Sequence, residues 1–441
     1  MDTNNLIAIV LGAGNGTRMK SSKPKVMHEI AHLPMVQHVQ NLLEHIKCGQ
    51  KILVTSPNMN KARESLEGYA HAIQEKPLGT GHAVLAAADY IDGQKDVLVL
   101  YGDTPLITEE TLKKMIAARK KYDLVVLGMH PENPGQYGRL IMDDAGWLIR
   151  IVEYKEATPT EKKITFCNSG IVLINGNHAL DLLKKIKNKN TKGEYYLTDI
   201  VEIASAQGLK ATAVSGSAQE LIGVNSCTDL AKAERIFQDR QRQKFMDHGV
   251  TLRDPATTYF SYDTKIEGGC CIEPNVYFGP GVMLEKDVTL KANSYLEDCH
   301  IKSNVSIGPF ARIRPGTEIS EDAKVGNFVE IKKSKIGKGS KVSHLSYIGD
   351  SVLGQDVNIG AGTITCNYDG YNKYKTTLED GVFIGSNASL VAPVTIGKNA
   401  IIGAGSTITK NVTEDDIALT RSDQKSIKGG ARKFKSRKER K

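Results

Sequence analysis

Leu11-Gly12-Ala13-Gly14-Asn15-Gly16-Thr17-Arg18-Met19, closed by Pro24-Lys25, follows an apolar run from Leu6 to Val10 that reads as a buried strand. Small residues at 12, 14 and 16 strip side chains from the loop, so backbone N–H groups can approach an anion closely. Arg18 and Lys25 add two positive charges suited to a chain of phosphates. The stretch reads as a phosphate cradle at the end of a strand. It is neither of the two commoner glycine loops. Thr17 stands where a dinucleotide fingerprint needs its third glycine, and no Gly-Lys precedes a Ser or Thr as a Walker A loop requires.

Outward from this loop, up to about Cys227, apolar runs alternate with helical segments: Lys51–Thr55, a helix over Gly81–Tyr90, Val97–Tyr101, a helix over Glu109–Lys121, and Leu124–Met129. That alternation predicts βαβ units and a mostly parallel sheet, with ligands beyond the carboxyl ends of the strands. Tyr101-Gly102-Asp103 falls at that same end, where an aspartate suits either a strand-end turn or a divalent ion over a nucleotide. Leu78-Gly79-Thr80-Gly81 is a second glycine turn before a helix, able to face a base or ribose. Tyr137-Gly138-Arg139, Glu153, Asn168-Ser169-Gly170 and Gly223-Val224-Asn225 are polar breaks that read equally well as plain turns.

From Thr228 to His248 the chain is polar and helical, and after Asp254-Pro255 its grammar changes. Aliphatic or aromatic residues recur every six positions from Ile266 through Ile272, Phe278, Leu284, Leu290 and Leu296. The series resumes at Ile301 and runs on, through Ile336, Val342 and Ile348, to Ile408. One inward residue per hexad, with small residues at the bends, builds flat faces that stack into a triangular parallel β-helix. The repeat breaks from about Thr365 to Gly381, where Cys366–Lys373 reads as an ejected loop, a usual carrier of function. The domain bounds expected are 1–227, a connecting helix 228–250, the repeat 251–427 and a tail 428–441.

Composition narrows the class. No run approaches the roughly 18 apolar residues of a membrane span, and Asp2 with no basic stretch argues against a signal peptide. Seven cysteines without a Cys-x-x-Cys pair point away from a disulfide framework or zinc site and towards the cytosol. The net charge of +8 belongs to the tail: residues 428–441 hold eight Lys or Arg and one Glu. The tail is therefore expected to be short, basic and disordered, and nucleic-acid binding is not expected of the folded part. Only His300 and His344 fall in the repeat, and an outward histidine is most often an ordinary surface residue. His344 nevertheless suits a general base acting on an amine.

The motifs combine. Gly-x-Gly-Thr-Arg-Met with Pro-Lys resembles the sugar-1-phosphate nucleotidyltransferase signature, and the hexads resemble those of left-handed, usually trimeric acyltransferases. Gly308–Gly316, Val325–Glu330 and Ile359–Gly370 complete a resemblance over nearly the whole chain. It is to the bacterial bifunctional N-acetylglucosamine-1-phosphate uridyltransferase/glucosamine-1-phosphate acetyltransferases. The fold so implied is an α/β Rossmann-like nucleotidyltransferase domain, a connecting helix and a left-handed parallel β-helix.

The resemblance implies uridine-nucleotide contacts at Leu11, Gly12, Ala13, Gly14, Lys25, Gln74, Gly79, Thr80, Tyr101 and Gly102. Sugar contacts are implied at Gly138, Glu153 and Asn168, and Mg²⁺ on Asp103 and Asn225, with Arg18 and Lys25 neutralising charge on the phosphates. In the second half it implies His344 as base, with Arg314, Lys332, Tyr347, Asn358 and Lys373 on glucosamine-1-phosphate. Asn367 and Tyr368 are then near the acetyl group, and Ala361, Ser386, Ala404 and Arg421 contact acetyl-CoA. UTP is the other co-substrate, and a homotrimer through the β-helix is implied. The sequence departs from the family at Gly12, where Ala is common, at Asn15, where Lys is common, and in early coils about one turn shorter than usual. Two rivals remain at this stage: a nucleotidyltransferase whose β-helix is only a scaffold, and a binder acting through its basic tail.

Overall fold

A computed structural model describes residues 3–14, 16–64 and 66–438, and the chain divides into two compact units, Met1–Asp239 and Arg240–Lys441. Asn15 lies outside the described residues. In the first unit the sheet runs Ala211–Gly216, Leu124–Met129, Cys167–Ile174, Asp96–Tyr101, Leu6–Leu11, Gln50–Thr55, Ala70–Ile73. Along Leu6–Leu11, Ile7 and Ile9 enter one buried cluster while Ala8 and Val10 enter another, so both faces are covered. That double burial is why the strand reads as an unbroken apolar run.

The expected parallel pairing holds for Leu6–Leu11 with both of its neighbours. It fails at Cys167–Ile174, which is antiparallel to Asp96–Tyr101 and to Leu124–Met129, so the sheet is mixed. The cause is the connection. Between Met129 and Cys167 lies the antiparallel pair Arg139–Met142 and Leu148–Val152, with no α-helix to carry the chain back across the sheet. The helix expected over Gly81–Tyr90 is shorter, Thr80–Leu85, followed by a 3₁₀ turn at Ala88–Tyr90. The connecting helix spans Cys227–Asp247.

The second unit is a left-handed parallel β-helix of hexapeptide repeats. Its strands form three parallel sheets, each chaining from one coil to the next, and the hexad residues from Ile272 to Ile408 form one continuous buried stack. Corners are turned by residues in the left-handed region, often Asn or Asp, as at Asn293, Asn304, Asp322 and Asp356. The break expected at Thr365 starts later. Thr365 is fully buried in the strand Ile364–Cys366, where its hydroxyl accepts a bond from Gly349 N (2.8 Å), and Leu378 is buried beyond the loop. Thr is not aliphatic, so the six-residue recurrence does not mark a coil position that is filled. The ejected segment is 367–375: the step from Ser351 to its register partner Thr376 is 25 residues, against 17 from Ile336 to Leu353. Of the tail expected to be disordered, residues 439–441 lie outside the described residues. Gly430–Lys438 is helical, with none of its residues buried, as long basic side chains of good helix propensity allow.

Candidate functional site

Two strand ends build the first site. Gly12 N donates to Val54 O (2.8 Å) and Gly102 N to Leu11 O (2.9 Å), which fixes the loops after Leu11 and Tyr101 side by side. Between them opens a cleft of about 460 Å³ whose lining includes Leu11, Gly12, Ala13, Gly14, Lys25, Gln74, Gly79, Thr80, Tyr101, Asp103 and Asn225. These residues come from segments as far apart as 11 and 225, and the fold brings them together. At the centre the Lys25 ammonium bonds the Asp103 carboxylate and, at 3.2 Å, the Asn225 carboxamide oxygen. Two oxygens thus converge on one part-buried cation.

The Gly79 turn is shaped for close approach. At its φ of +112° an added Cβ would lie 2.6 Å from Tyr195 O, so a side chain there would displace the turn. Gln74 Nε2 donates to Gly79 O (3.1 Å), and Thr80 Oγ1 accepts from Leu197 N (3.0 Å). Tyr101 joins the cleft to a small second cavity that Asn168 lines. Gly138, Glu153 and Asn168 lie on that side. Asn168 N donates to Gly138 O (2.9 Å), and Thr198 Oγ1 donates to Glu153 (3.4 Å). Burial raises the Glu153 carboxyl above its ordinary range, and burial with nearby Glu156, Glu202 and Glu153 pushes Asp199 up to about 6. Arg18 and Gly102 are outside the lining; Arg18 is exposed on the turn Thr17–Met19.

Sequence reasoning passed over Glu194 and Leu221 in the cleft wall, and left Tyr137 in a polar break that reads equally well as a plain turn. It also passed over the device that holds Tyr137. Arg139 is only 2% exposed, and its guanidinium donates to the carbonyls of Tyr137, Gly135 (3.2 Å), Pro134 (3.4 Å) and Lys162 (3.4 Å). The same group sits 5.4 Å from the Tyr154 ring centroid. A planar fork of five donors can clasp several carbonyls at once, which lysine cannot. Arg139→Met should cost about 1–3 kcal/mol of stability by leaving those carbonyls unpaired. It should also raise the KM of the sugar phosphate more than that of the nucleotide, because Tyr137 and Gly138 loosen; thermal melting and steady-state kinetics read the two effects.

The second site lies on one edge and one face of the β-helix. His344 is exposed at the end of the strand Lys341–His344, and its Nδ1 is 2.7 Å from Asn327 Oδ1 on the coil before. Along the same edge, coil by coil, Gly362 N donates to His344 O (3.3 Å), Asn387 N to Ala361 O (2.7 Å), and Gly405 N to Ser386 O (2.8 Å). Arg421 then donates to Ala404 O (2.8 Å). His344, Ala361, Ser386, Ala404 and Arg421 therefore form a track along the coil axis, rising about 5 Å per coil.

The adjoining face begins at Tyr347, opposite Glu330, and ends at Lys332, opposite Gly349. There the Lys373 ammonium, with Arg314 behind it, lowers the Lys332 pKa below the usual lysine value. Arg314 bonds Glu330 at 2.7 Å. Of the ejected loop, Asn367 bonds the Asp350 carboxylate, and the Tyr368 hydroxyl donates to Gly370 O. Asn358 lies on a different sheet, in register with Lys341, and is not brought to the Lys332 group.

Comparison with known proteins agrees with this architecture. Residues 8–162 match the MobA-like NTP transferase domain, and residues 298–333 and 375–410 match the bacterial transferase hexapeptide repeat. A bifunctional protein GlmU from Paramagnetospirillum magneticum is 49% identical, covering 99% of this chain and 98% of that one. Counterparts from Bartonella quintana and Zymomonas mobilis are each 46% identical, the first covering 98% of this chain and 97% of its own, the second 98% of both. With a nucleotidyltransferase unit and a hexapeptide transferase unit in one polypeptide, the chain belongs to the GlmU family of bifunctional enzymes of UDP-N-acetylglucosamine synthesis.

Proposed function

We propose that the second unit transfers acetyl from acetyl-CoA to the amine of glucosamine-1-phosphate, and that the first unit then joins the product to UMP from UTP, releasing pyrophosphate. The observation that carries the reading is the Lys25–Asp103–Asn225 cluster at the heart of the cleft. A carboxylate and a carboxamide oxygen aimed at one ammonium also fit Mg²⁺, which accepts few protein oxygens and leaves its other positions to water and phosphate. When bound there, the ion supplies charge neutralisation to the triphosphate. Lys25 then moves its ammonium from Asp103 to phosphate oxygens. The Gly12–Gly14 backbone and the Gly79 turn hold the nucleotide, and the side carrying Gly138, Glu153 and Asn168 holds the acetamido sugar. The sugar phosphate itself attacks the α-phosphorus, so the protein works by positioning and electrostatics.

On the β-helix, Lys332, Lys373 and Arg314 supply three cations for the sugar phosphate, and Tyr347 lies between them and His344. His344 takes the proton that the amine must lose to attack the thioester. The thioester lies along the Ala361–Ser386–Ala404–Arg421 track, with Asn367 and Tyr368 toward the acetyl group. The exposed corner side chains Phe310, Phe328 and Leu345 (49, 55 and 61% exposed) form an apolar ridge beside His344, with the two rings stacked at 5.1 Å. Two further copies of the chain, covering that ridge, would complete a homotrimer with acetyl sites at the junctions. We place the enzyme in the cytoplasm; separately, among the described residues no helix is long and apolar enough to cross a membrane.

The reading is tested by omission. Glucosamine-1-phosphate, acetyl-CoA, UTP and Mg²⁺ together should yield CoA, pyrophosphate and UDP-N-acetylglucosamine. Without acetyl-CoA no pyrophosphate should appear until N-acetylglucosamine-1-phosphate is added. Pyrophosphate release from glucosamine-1-phosphate at an equal rate without acetyl-CoA would overturn the order, and no CoA release at all would leave the β-helix a scaffold.

A further inference from the structure

Asn327 lies inside the Val325–Glu330 motif on the strand Lys324–Asn327, one coil before His344 and directly in register with it. Leu345 N donates to Asn327 O (3.0 Å), which locks the two corners together, and the carboxamide Oδ1 meets the imidazole Nδ1 at 2.7 Å. A carboxamide oxygen only accepts, so Nδ1 must carry the proton, and Nε2 is left with its lone pair. Glu330, the carboxylate on the following strand, is engaged by Arg314 and Arg312 and does not bond the imidazole. The charged groups on the strands packed around His344 are Lys324 and its register partner Lys341, three residues along from Asn327 and His344 respectively. Asn358–Ile359, on the other side, brings no charge.

We infer that Asn327 is the positioning residue of the acetyl transfer: it holds His344 in the tautomer whose Nε2 is the free base, and it does so with a neutral group. The neutral partner matters. A carboxylate in its place would orient the ring equally well but would also stabilise the imidazolium, so the base would stay protonated to higher pH. The inference rests on His344 being the base, and the experiment separates the two.

The pH profile of kcat/KM for acetyl transfer is measured on the full chain for the parent, Asn327→Ala, Asn327→Asp and His344→Ala. Uridylyl transfer by the same preparations reports on folding. Asn327→Ala should lower kcat about ten- to a hundredfold, the range for partners that orient a functional histidine, with little change in either KM. Asn327→Asp should restore much of that kcat above neutral pH while moving the acidic limb of the profile upward. If Asn327→Ala leaves kcat intact, or Asn327→Asp leaves the limb where it is, the positioning role is wrong even if His344→Ala is inactive. If His344→Ala keeps parent activity and the acidic limb, the base assignment fails first and carries the inference down with it.

Discussion

Asp103→Ala should abolish uridylyl transfer, by about a thousandfold or more, while leaving acetyl transfer at the parent rate. The size follows from what the carboxylate does in the cleft. It is the only negatively charged member of the Lys25–Asp103–Asn225 cluster, and both Lys25 and Asp103 are largely withdrawn from water, with side chains 13 and 14% exposed. Removing it deletes one of two oxygens proposed to hold Mg²⁺ and leaves Lys25 with the Asn225 carboxamide alone. A bound cation is worth several kcal/mol at a transferring phosphoryl group, and about 4 kcal/mol is three powers of ten in rate. Asp103→Asn sharpens the test, because it keeps the shape and removes the charge. Its activity should recover partly at high Mg²⁺, and the concentration giving half-maximal rate should rise at least tenfold. A variant with parent activity at the parent Mg²⁺ requirement would remove Asp103 from the site. Lys25→Met should fall by a comparable factor without raising the Mg²⁺ requirement, since its ammonium acts on phosphate and, before the ion binds, occupies the two oxygens the ion would take.

What the sequence made legible, and what it hid, divides along physical lines. The six-residue recurrence from Ile266 to Ile408 was readable because each inward position touches the same position one coil away, so a single period carries the entire core. The glycine loop after Leu11 was readable as a wall of the cleft because its requirement is local: small residues over a few positions and a cation shortly after. The direction of Cys167–Ile174 was not readable, since a strand buried on both faces shows the same apolar run in either orientation. Thr365 was missed because a buried hydroxyl that finds backbone partners replaces an aliphatic residue without a compositional trace. Glu194 was missed because the turn carrying it packs on Gly79, a meeting that spacing does not encode. Asn327 is the instructive case. It stood in a quoted motif, and the 17-residue coil length separating it from His344 was available from the hexads, yet only the register shows that the two side chains face each other.

His344→Ala should lower acetyl transfer about a hundred- to ten-thousandfold, the span that a positioned acid–base group contributes. The amine of an amino sugar phosphate is largely protonated near neutral pH and has no lone pair in that form, so a thioester beside it stays intact until a base takes the proton. Without the imidazole that base is water or hydroxide, and the residual rate of the variant should climb steadily with pH where the parent levels off. The KM of acetyl-CoA should scarcely move, because the track proposed to hold it is built from Ala361, Ser386, Ala404 and Arg421, whose backbone bonds do not involve the imidazole. Uridylyl transfer to added N-acetylglucosamine-1-phosphate should run at the parent rate, since every residue of that cleft belongs to the other compact unit. The mixed assay should therefore stop after His344→Ala and restart on adding the acetylated sugar phosphate. A restart would separate the two chemistries within one chain. A variant that acetylates at the parent rate, with a parent pH profile, would return His344 to the class of ordinary surface histidines and move the search for the base elsewhere on the coil.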